Sequence, residues 1–190
     1  MNTILRPALV LFFLLTLVCG VIYPYAVTGI GQLAFANQAK GSLITNNGKT
    51  VGSSLIGQSF SSPKYFWGRP SATSPMPNNA VASSGSNQGP LNPALMDAVN
   101  ARIDALKAAD PTNTDPIPVD LVTASASGLD PEISVAAALY QAGRIALERQ
   151  LAPSTVRSLI DQHTQAQYLG FFGEPRVNVL ELNLALDAHK

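Results

Sequence analysis

Ala8-Leu9-Val10-Leu11-Phe12-Phe13-Leu14-Leu15-Thr16-Leu17-Val18-Cys19-Gly20-Val21-Ile22 is apolar except for Thr16 and Gly20. The run lies inside a longer stretch, Pro7 to Ala39, that carries no charged residue. About 20 residues at ~1.5 Å rise cross a ~30 Å hydrocarbon layer, so a helix over residues 8–30 reaches from one side of a bilayer to the other. The Leu, Ile, Phe and Val side chains between Ala8 and Ile30 favour insertion by roughly 4 to 8 kcal/mol, before penalties for Gly, Thr and Pro24. The stretch reads as one transmembrane helix. Tyr23 and Tyr25 fall at its far interface, where an amphipathic ring is at home, and Pro24 is expected to bend or loosen the last turns.

A cleaved signal peptide is the competing reading, with Arg6 as its basic start and Ala34-Phe35-Ala36 as its cut site. Residues 23–36 separate the apolar run from that cut, a longer gap than such peptides have. A lipoprotein reading of Cys19 is weaker, because bulky Leu17 and Val18 precede it; Cys19 reads as a small apolar thiol. Arg6 and the terminal amine precede the span and the next charge is Lys40. The positive-inside rule then puts residues 1–7 in the cytoplasm and residues 31–190 outside it. A single cysteine inside the span and none after it suits that compartment.

Working outward, the whole chain is poor in charge. Charged residues make up 13% of its 190 residues, and 12 Lys+Arg balance 12 Asp+Glu. Soluble domains average ~25%. A neutral chain has no polycationic footprint for nucleic acid, and one cysteine excludes sites built on several thiolates. Residues 41–93 are rich in Gly, Pro, Ser, Thr, Asn and Gln, and their only charges are Lys49, Lys64 and Arg69. Val51–Gly57 and Tyr65-Phe66-Trp67 are apolar enough to pack, so this part reads as short strands joined by long loops, with Pro75–Gly89 an ordered or semi-ordered loop.

Residues 92–190 read as mainly helical. Asn92-Pro93 opens a helix that buries Leu95, Val99, Ile103 and Leu106. Asp110–Pro118 is a Pro-broken connector. Asp130-Pro131 is expected to start a second helix burying Ile133, Ala137, Tyr140, Ala142, Ile145 and Leu147, with Asp130 as its cap. Ala152-Pro153 opens a third, through Val156, Leu159 and Ile160. Asn178-Val179-Leu180-Glu181 has the spacing of a capping box, with Val177 and Leu182 as its staple. Leucines 180, 182, 184 and 186 alternate as in a strand, but the cap decides for helix. The fold class is α+β: one amino-terminal transmembrane helix followed by one extracytoplasmic domain.

No catalytic machinery emerges. The phosphate-cradling G-x-x-x-x-G-K-[ST] and G-x-G-x-x-G patterns are absent, as is the phosphorylated Asp-Lys-Thr-Gly-Thr loop of P-type ATPases. Ser61-Ser62-Pro63-Lys64 matches the S-x-x-K of serine acylases, but its S-x-N and K-T-G companions are missing. His163 and His189 are scattered and make no metal site.

Several segments, in order, carry a resemblance. They are Gly41-Ser42-Leu43-Ile44, Gly52–Phe60, Tyr65-Phe66-Trp67-Gly68-Arg69-Pro70-Ser71-Ala72-Thr73, Gly85-Ser86-Asn87, Val119–Asp130 with its V-T-A-S-A-S-G-L-D string, and Val177–Asp187. With Arg6-Pro7 at the head of the span, the chain closely resembles the C-subunit family of the Kdp potassium-transporting ATPase over nearly its whole length. One departure is Gln141-Ala142-Gly143-Arg144, where relatives tend to carry Pro before the Arg. The resemblance implies a non-catalytic subunit of an inner-membrane K⁺-uptake complex. Its partners are a channel-like K⁺-translocating subunit, a P-type ATP-hydrolysing subunit and a small single-span subunit. It implies a role in assembly and activity, described in the family as a catalytic chaperone that raises the ATPase subunit's affinity for ATP. With residues 31–190 outside, that effect reads as indirect, and ATP and K⁺ are handled by the complex; direct nucleotide contact is the alternative. The charge-poor stretch supplies candidate partner contacts at Tyr65, Phe66, Trp67 and Arg69, interface cores being depleted of charge and enriched in aromatics and Arg. Ser125, Ser127, Gly128 and Asp130 are expected to shape a turn and helix cap. The competing functions are a membrane-anchored serine hydrolase using Ser61 and Lys64, and a free extracytoplasmic binding module.

Overall fold

A computed structural model describes residues 2–189; the terminal amine at Met1 and the last residue, Lys190, lie outside the described residues. The chain divides into two units, Met1–Leu43 and Ile44–Lys190.

The first unit is a helical rod. Helix α1 (Asn2–Leu17) passes through a π-helical turn, Val18–Ile22, into α2 (Tyr23–Ala34), followed by the single turn α3 (Ala36–Ala39). The helix long and apolar enough to cross a membrane runs Thr3–Ala34, past both ends of the span read from sequence. The loosening expected at Pro24 falls on its amino-terminal side, and the turns after it stay α-helical. A proline ring collides with the carbonyl four residues back in a regular helix, and here the widening falls before it: the Tyr23 N–H donates to the Val18 carbonyl, five residues back. The π turn is a single-turn insertion of the kind found inside α-helices, and the helix continues through it to Ala34.

The second unit is α+β, as the sequence predicts. It opens with a hairpin, β1 (Leu43–Asn46) and β2 (Lys49–Ser53), turning through Asn47 and Gly48, both at positive φ, which suits a two-residue hairpin loop. A long irregular stretch leads to α4 (Pro93–Ala109), capped by the Asn92 side chain, which accepts from Ala94 N. A short 3₁₀ turn, Val119–Leu121, precedes β3 (Glu132–Ser134), α5 (Val135–Arg149), α6 (Pro153–Gln162), β4 (Thr164–Gln165), β5 (Arg176–Asn178) and α7 (Val179–Ala188).

The structure corrects two expectations here. Strands are not confined to the first half: β3, β5 and β4 form an antiparallel sheet in that order, with Ile133 and Thr164 both opposite Val177. Asp130-Pro131 does not start a helix. Residues 132–134 pair with 176–178, and α5 starts after Ser134, whose hydroxyl accepts from Ala137 N while Asp120 takes the Ser134 N–H. Long-range pairing overrides the local start signal. Leu147 is 78% exposed; α5 instead turns Ala137, Ala138, Ala142, Ile145 and Ala146 inward. Phe66, Ile145, Val156, Ile160, Val177, Leu182 and Leu186 have no exposed surface and form the core between α5, α6, α7 and β5. The Asn178 cap on α7 is made, its side chain accepting from Glu181 N.

Candidate functional site

The most specific motif of the chain, Tyr65–Thr73, crosses α5 and α7 as an extended strap. An extended backbone needs partners on both sides, and here side-chain amides provide them. Asn183 on α7 takes both groups of Phe66: its Oδ1 accepts from Phe66 N at 2.9 Å and its Nδ2 donates to Phe66 O at 3.0 Å. Gln141 on α5 does the same for Trp67, at 2.8 and 3.1 Å. Two buried carboxamides thus act as surrogate strands.

Two arginines of α5 fasten the approach to the strap. The Arg144 guanidinium donates to the carbonyls of Pro63 and Tyr65 and to Gln141 Oε1, and lies 4.7 Å from the Trp67 ring centroid. Burial pushes its pKa below the ordinary arginine value, against the pull of Asp110 and Glu148; five fixed donors keep such a group useful when dry. Arg149 donates to Lys64 O and pairs with Asp187 at 2.7 Å, and the Tyr65 hydroxyl donates to the same carboxylate at 3.1 Å. The Ser61–Lys64 segment therefore supplies backbone acceptors at Ser62, Pro63 and Lys64 and assembles no nucleophile.

Farther along, the strap meets the V-T-A-S-A-S-G-L-D loop. Ser125 N donates to Pro70 O, and the Ser71 hydroxyl donates to Gly128 O at 2.7 Å. Gly128 sits at φ +68, and a Cβ there would lie 2.4 Å from Thr73 Cγ2 and 2.6 Å from Ser84 O. The turn requires glycine on both counts. Arg69 Nη1 pairs with Asp130 Oδ2 at 2.9 Å, while Asp130 Oδ1 accepts from Glu132 N. Asp130 shapes a turn and holds the strap, and Ser134 caps the helix. Arg69 stands between two clefts, one of about 300 Å³ shared with Trp67 and Arg102, the other of about 600 Å³ shared with Asp130, Ile133 and Arg176. Its Nε is buried without a hydrogen-bond partner. Burial lowers the Arg102 pKa, and its Nη1 donates to Val122 O.

The four residues read as partner contacts are placed unequally. Phe66 is fully buried and belongs to the core, which removes it as a contact. Tyr65 and Trp67 are half-buried and spend their polar atoms on Asp187 and Ser62. Arg69 reaches the surface but is ion-paired. Ser125 and Gly128 are buried and Ser127 exposed, all three inside the turn. His163 bonds the Leu159 carbonyl, and among the described residues no group of three or more His, Cys, Asp or Glu could hold a metal ion.

The sequence singles out this charge-poor region as a face but does not reveal which of its apolar side chains, past the strap, stay in solvent. No charge occurs between Arg69 and Asp97, yet this stretch is not packed inside. Its polar groups bond inward: Thr73 Oγ1 donates to Met76 O, the buried Asn79 donates to Ser74 O, and Ser84 N donates to Ser127 O. Its apolar side chains point out, with Met76 and Met96 exposed and Val81 and Leu91 each at 96%. In this stretch the polar groups are used within the fold and the large apolar side chains are left in solvent.

The family model described as K⁺-transporting ATPase, c chain, matches residues 5–188. A protein of Herminiimonas arsenicoxydans named potassium-transporting ATPase KdpC subunit is 76% identical over the full length of both chains. Proteins of the same name from Janthinobacterium sp. (strain Marseille) and Dechloromonas aromatica (strain RCB) are 71% and 68% identical, each covering at least 98% of both chains.

Proposed function

The chain belongs to the KdpC family, the c chain of the K⁺-transporting ATPase, and from that premise we propose how it serves the complex. It is an accessory subunit of that ATPase, not the catalytic one. In our reading the helix over residues 8–30 anchors it in the inner membrane, with residues 1–7 cytoplasmic and residues 31–190 on the outer side. The folded domain docks there on the channel-like K⁺-translocating subunit, and the span packs beside the ATP-hydrolysing and small single-span subunits. The domain stabilises assembly, and its effect on ATP affinity passes through these contacts. Coupling of that kind requires that docking favour one conformation of the pump over another.

The observation that carries the reading is the uncharged stretch between Arg69 and Asp97, whose apolar side chains face out while its polar groups are used inward. The strap rigidifies this surface and is not the contact itself. The test is the Val81→Glu/Leu91→Glu double variant. Both side chains are almost wholly exposed, so the variant should keep the wild-type melting temperature. Co-purification with the other subunits in mild detergent should fall at least about tenfold, the effect of ~1.4 kcal/mol. Unchanged recovery and K⁺-dependent ATPase activity would reject the docking face.

A further inference from the structure

A second exposed apolar feature stands apart from the uncharged stretch. Between β4 and β5 the chain turns back through Tyr168-Leu169-Gly170-Phe171-Phe172-Gly173, a finger closed by reciprocal bonds. Tyr168 N donates to Phe172 O and Phe172 N to Tyr168 O, both at 2.9 Å, and Gln167 Nε2 donates to Gly173 O at 2.8 Å. Leu169, Gly170 and Gly173 all adopt positive φ. For glycine this is free, but a leucine is held there only when its surroundings require it. The result is a pre-shaped tip with the wrong chemistry for water: Tyr168, Leu169, Phe171 and Phe172 are 55–71% exposed, and the Phe171 and Phe172 rings stack at 4.2 Å.

We infer that this finger inserts into the headgroup–acyl boundary of the membrane. The inference rests on the membrane anchorage proposed above. Three observations favour lipid over a protein groove. From Ala166 to Gly173 there is no charged residue, so neither anionic nor zwitterionic headgroups oppose entry. The N–H groups of Tyr168, Gly170, Phe171 and Phe172 are all bonded within the finger, which lowers the cost of taking its backbone out of water. The composition, a tyrosine beside Leu and Phe, matches what an interface favours, the amphipathic ring at headgroup level and the apolar ones below it. The connection from Phe35 to Ser42, even fully extended, spans no more than about 30 Å. A tether of that length keeps the bilayer surface within reach of the domain, and the insertion required is shallow, about 5–10 Å. The finger would fix the tilt of the domain over the bilayer and so aim the docking face.

The test uses the full chain in phosphatidylcholine vesicles, plain or brominated high on the acyl chains. Phe171→Trp adds a reporter to the single native tryptophan, Trp67, and a fluorophore on the native Cys19 reports the span. The emission added by Phe171→Trp should be blue-shifted and fall by about half or more in brominated vesicles, as expected for a ring at 5–10 Å depth. Adding Leu169→Asp and Phe172→Asp should abolish that quenching. A quenched Cys19 label with unquenched Phe171→Trp emission overturns the finger inference and leaves the anchor intact. If neither is quenched, the anchor reading falls and takes the inference with it. Emission that is indifferent to brominated lipid but shielded when the other subunits are added also overturns it, in favour of a protein groove.

Discussion

Replacing Gln141 by Ala should release the strap. The side chain makes four bonds: it accepts from Trp67 N and from Arg144 Nη2, and donates to Trp67 O and Ala137 O. Truncation leaves the two backbone groups of Trp67 and one guanidinium nitrogen without partners. A buried unpaired polar group costs about 1–3 kcal/mol, and water can reach half-buried Trp67, so the lower end applies to its two groups. With the buried guanidinium nitrogen and the lost packing, the expected cost is about 3–5 kcal/mol. For a domain of this size that lowers the melting temperature by about 6–20 °C. Gln141→Glu keeps the acceptor for Trp67 N and for Arg144 but loses both donors, so it should cost about 1–3 kcal/mol. Asn183→Ala should resemble Gln141→Ala, and the double variant should cost less than the sum by at least ~0.5 kcal/mol, because either change alone frees the same segment. Trp67 is the only tryptophan, so urea titration of the full chain in detergent, followed by its emission, reads the strap directly. A Gln141→Ala midpoint within ~0.5 kcal/mol of wild type, with unchanged Trp67 emission, would refute the clamp.

Gly128→Ala should cost about 2–5 kcal/mol, combining a positive-φ penalty of 1–2 with overpacking against Thr73 and Ser84, and should appear in the same titration. The Tyr140 hydroxyl titrates above its ordinary value of 10.0, through burial first and then the carboxylates of Asp110 and Asp115. The folded state therefore holds that proton longer than the unfolded one, and its contribution is lost as pH rises through the folded value. Stability should fall above about pH 10, and Tyr140→Phe should flatten that fall; parallel curves for the two proteins would contradict it. Arg69→Glu sets a carboxylate against Asp130 and should destabilise the domain itself, whereas Arg69→Gln should cost about 1 kcal/mol or less because the pair is partly solvated. Arg69→Glu/Asp130→Arg should restore the melting temperature, and failure of that rescue would remove the ion pair from the account.

The parts of the fold that were legible in the sequence carry local signals. The apolar run, the Asn92-Pro93 start, the Ala152-Pro153 start and the Asn178 cap each lie within a few residues of the structure they specify. The sheet was not legible, because strands as short as Glu132–Ser134, Thr164–Gln165 and Arg176–Asn178 hold too few residues to show alternation. Their pairing joins segments far apart in the chain, and the apparent cap at Asp130 yields to it. The candidate site divides the same way. Composition pointed to a neutral region around Tyr65–Arg69, but aromatic type does not tell an anchor in the core from a ring on the surface. Gln141 and Asn183 were illegible as clamps, since an amide on a helix reads as solvent-facing until its backbone partner is known.

The Asn183 clamp also orders events in time. Phe66 and Asn183 are separated by 117 positions, and at about 5–20 residues per second a ribosome needs about 6–23 s to cover that interval. During that delay Phe66 has no pocket and the neutral ribbon after it has no scaffold. The strap therefore closes only after α7 has emerged, so the domain becomes competent to join its assembly no earlier than that.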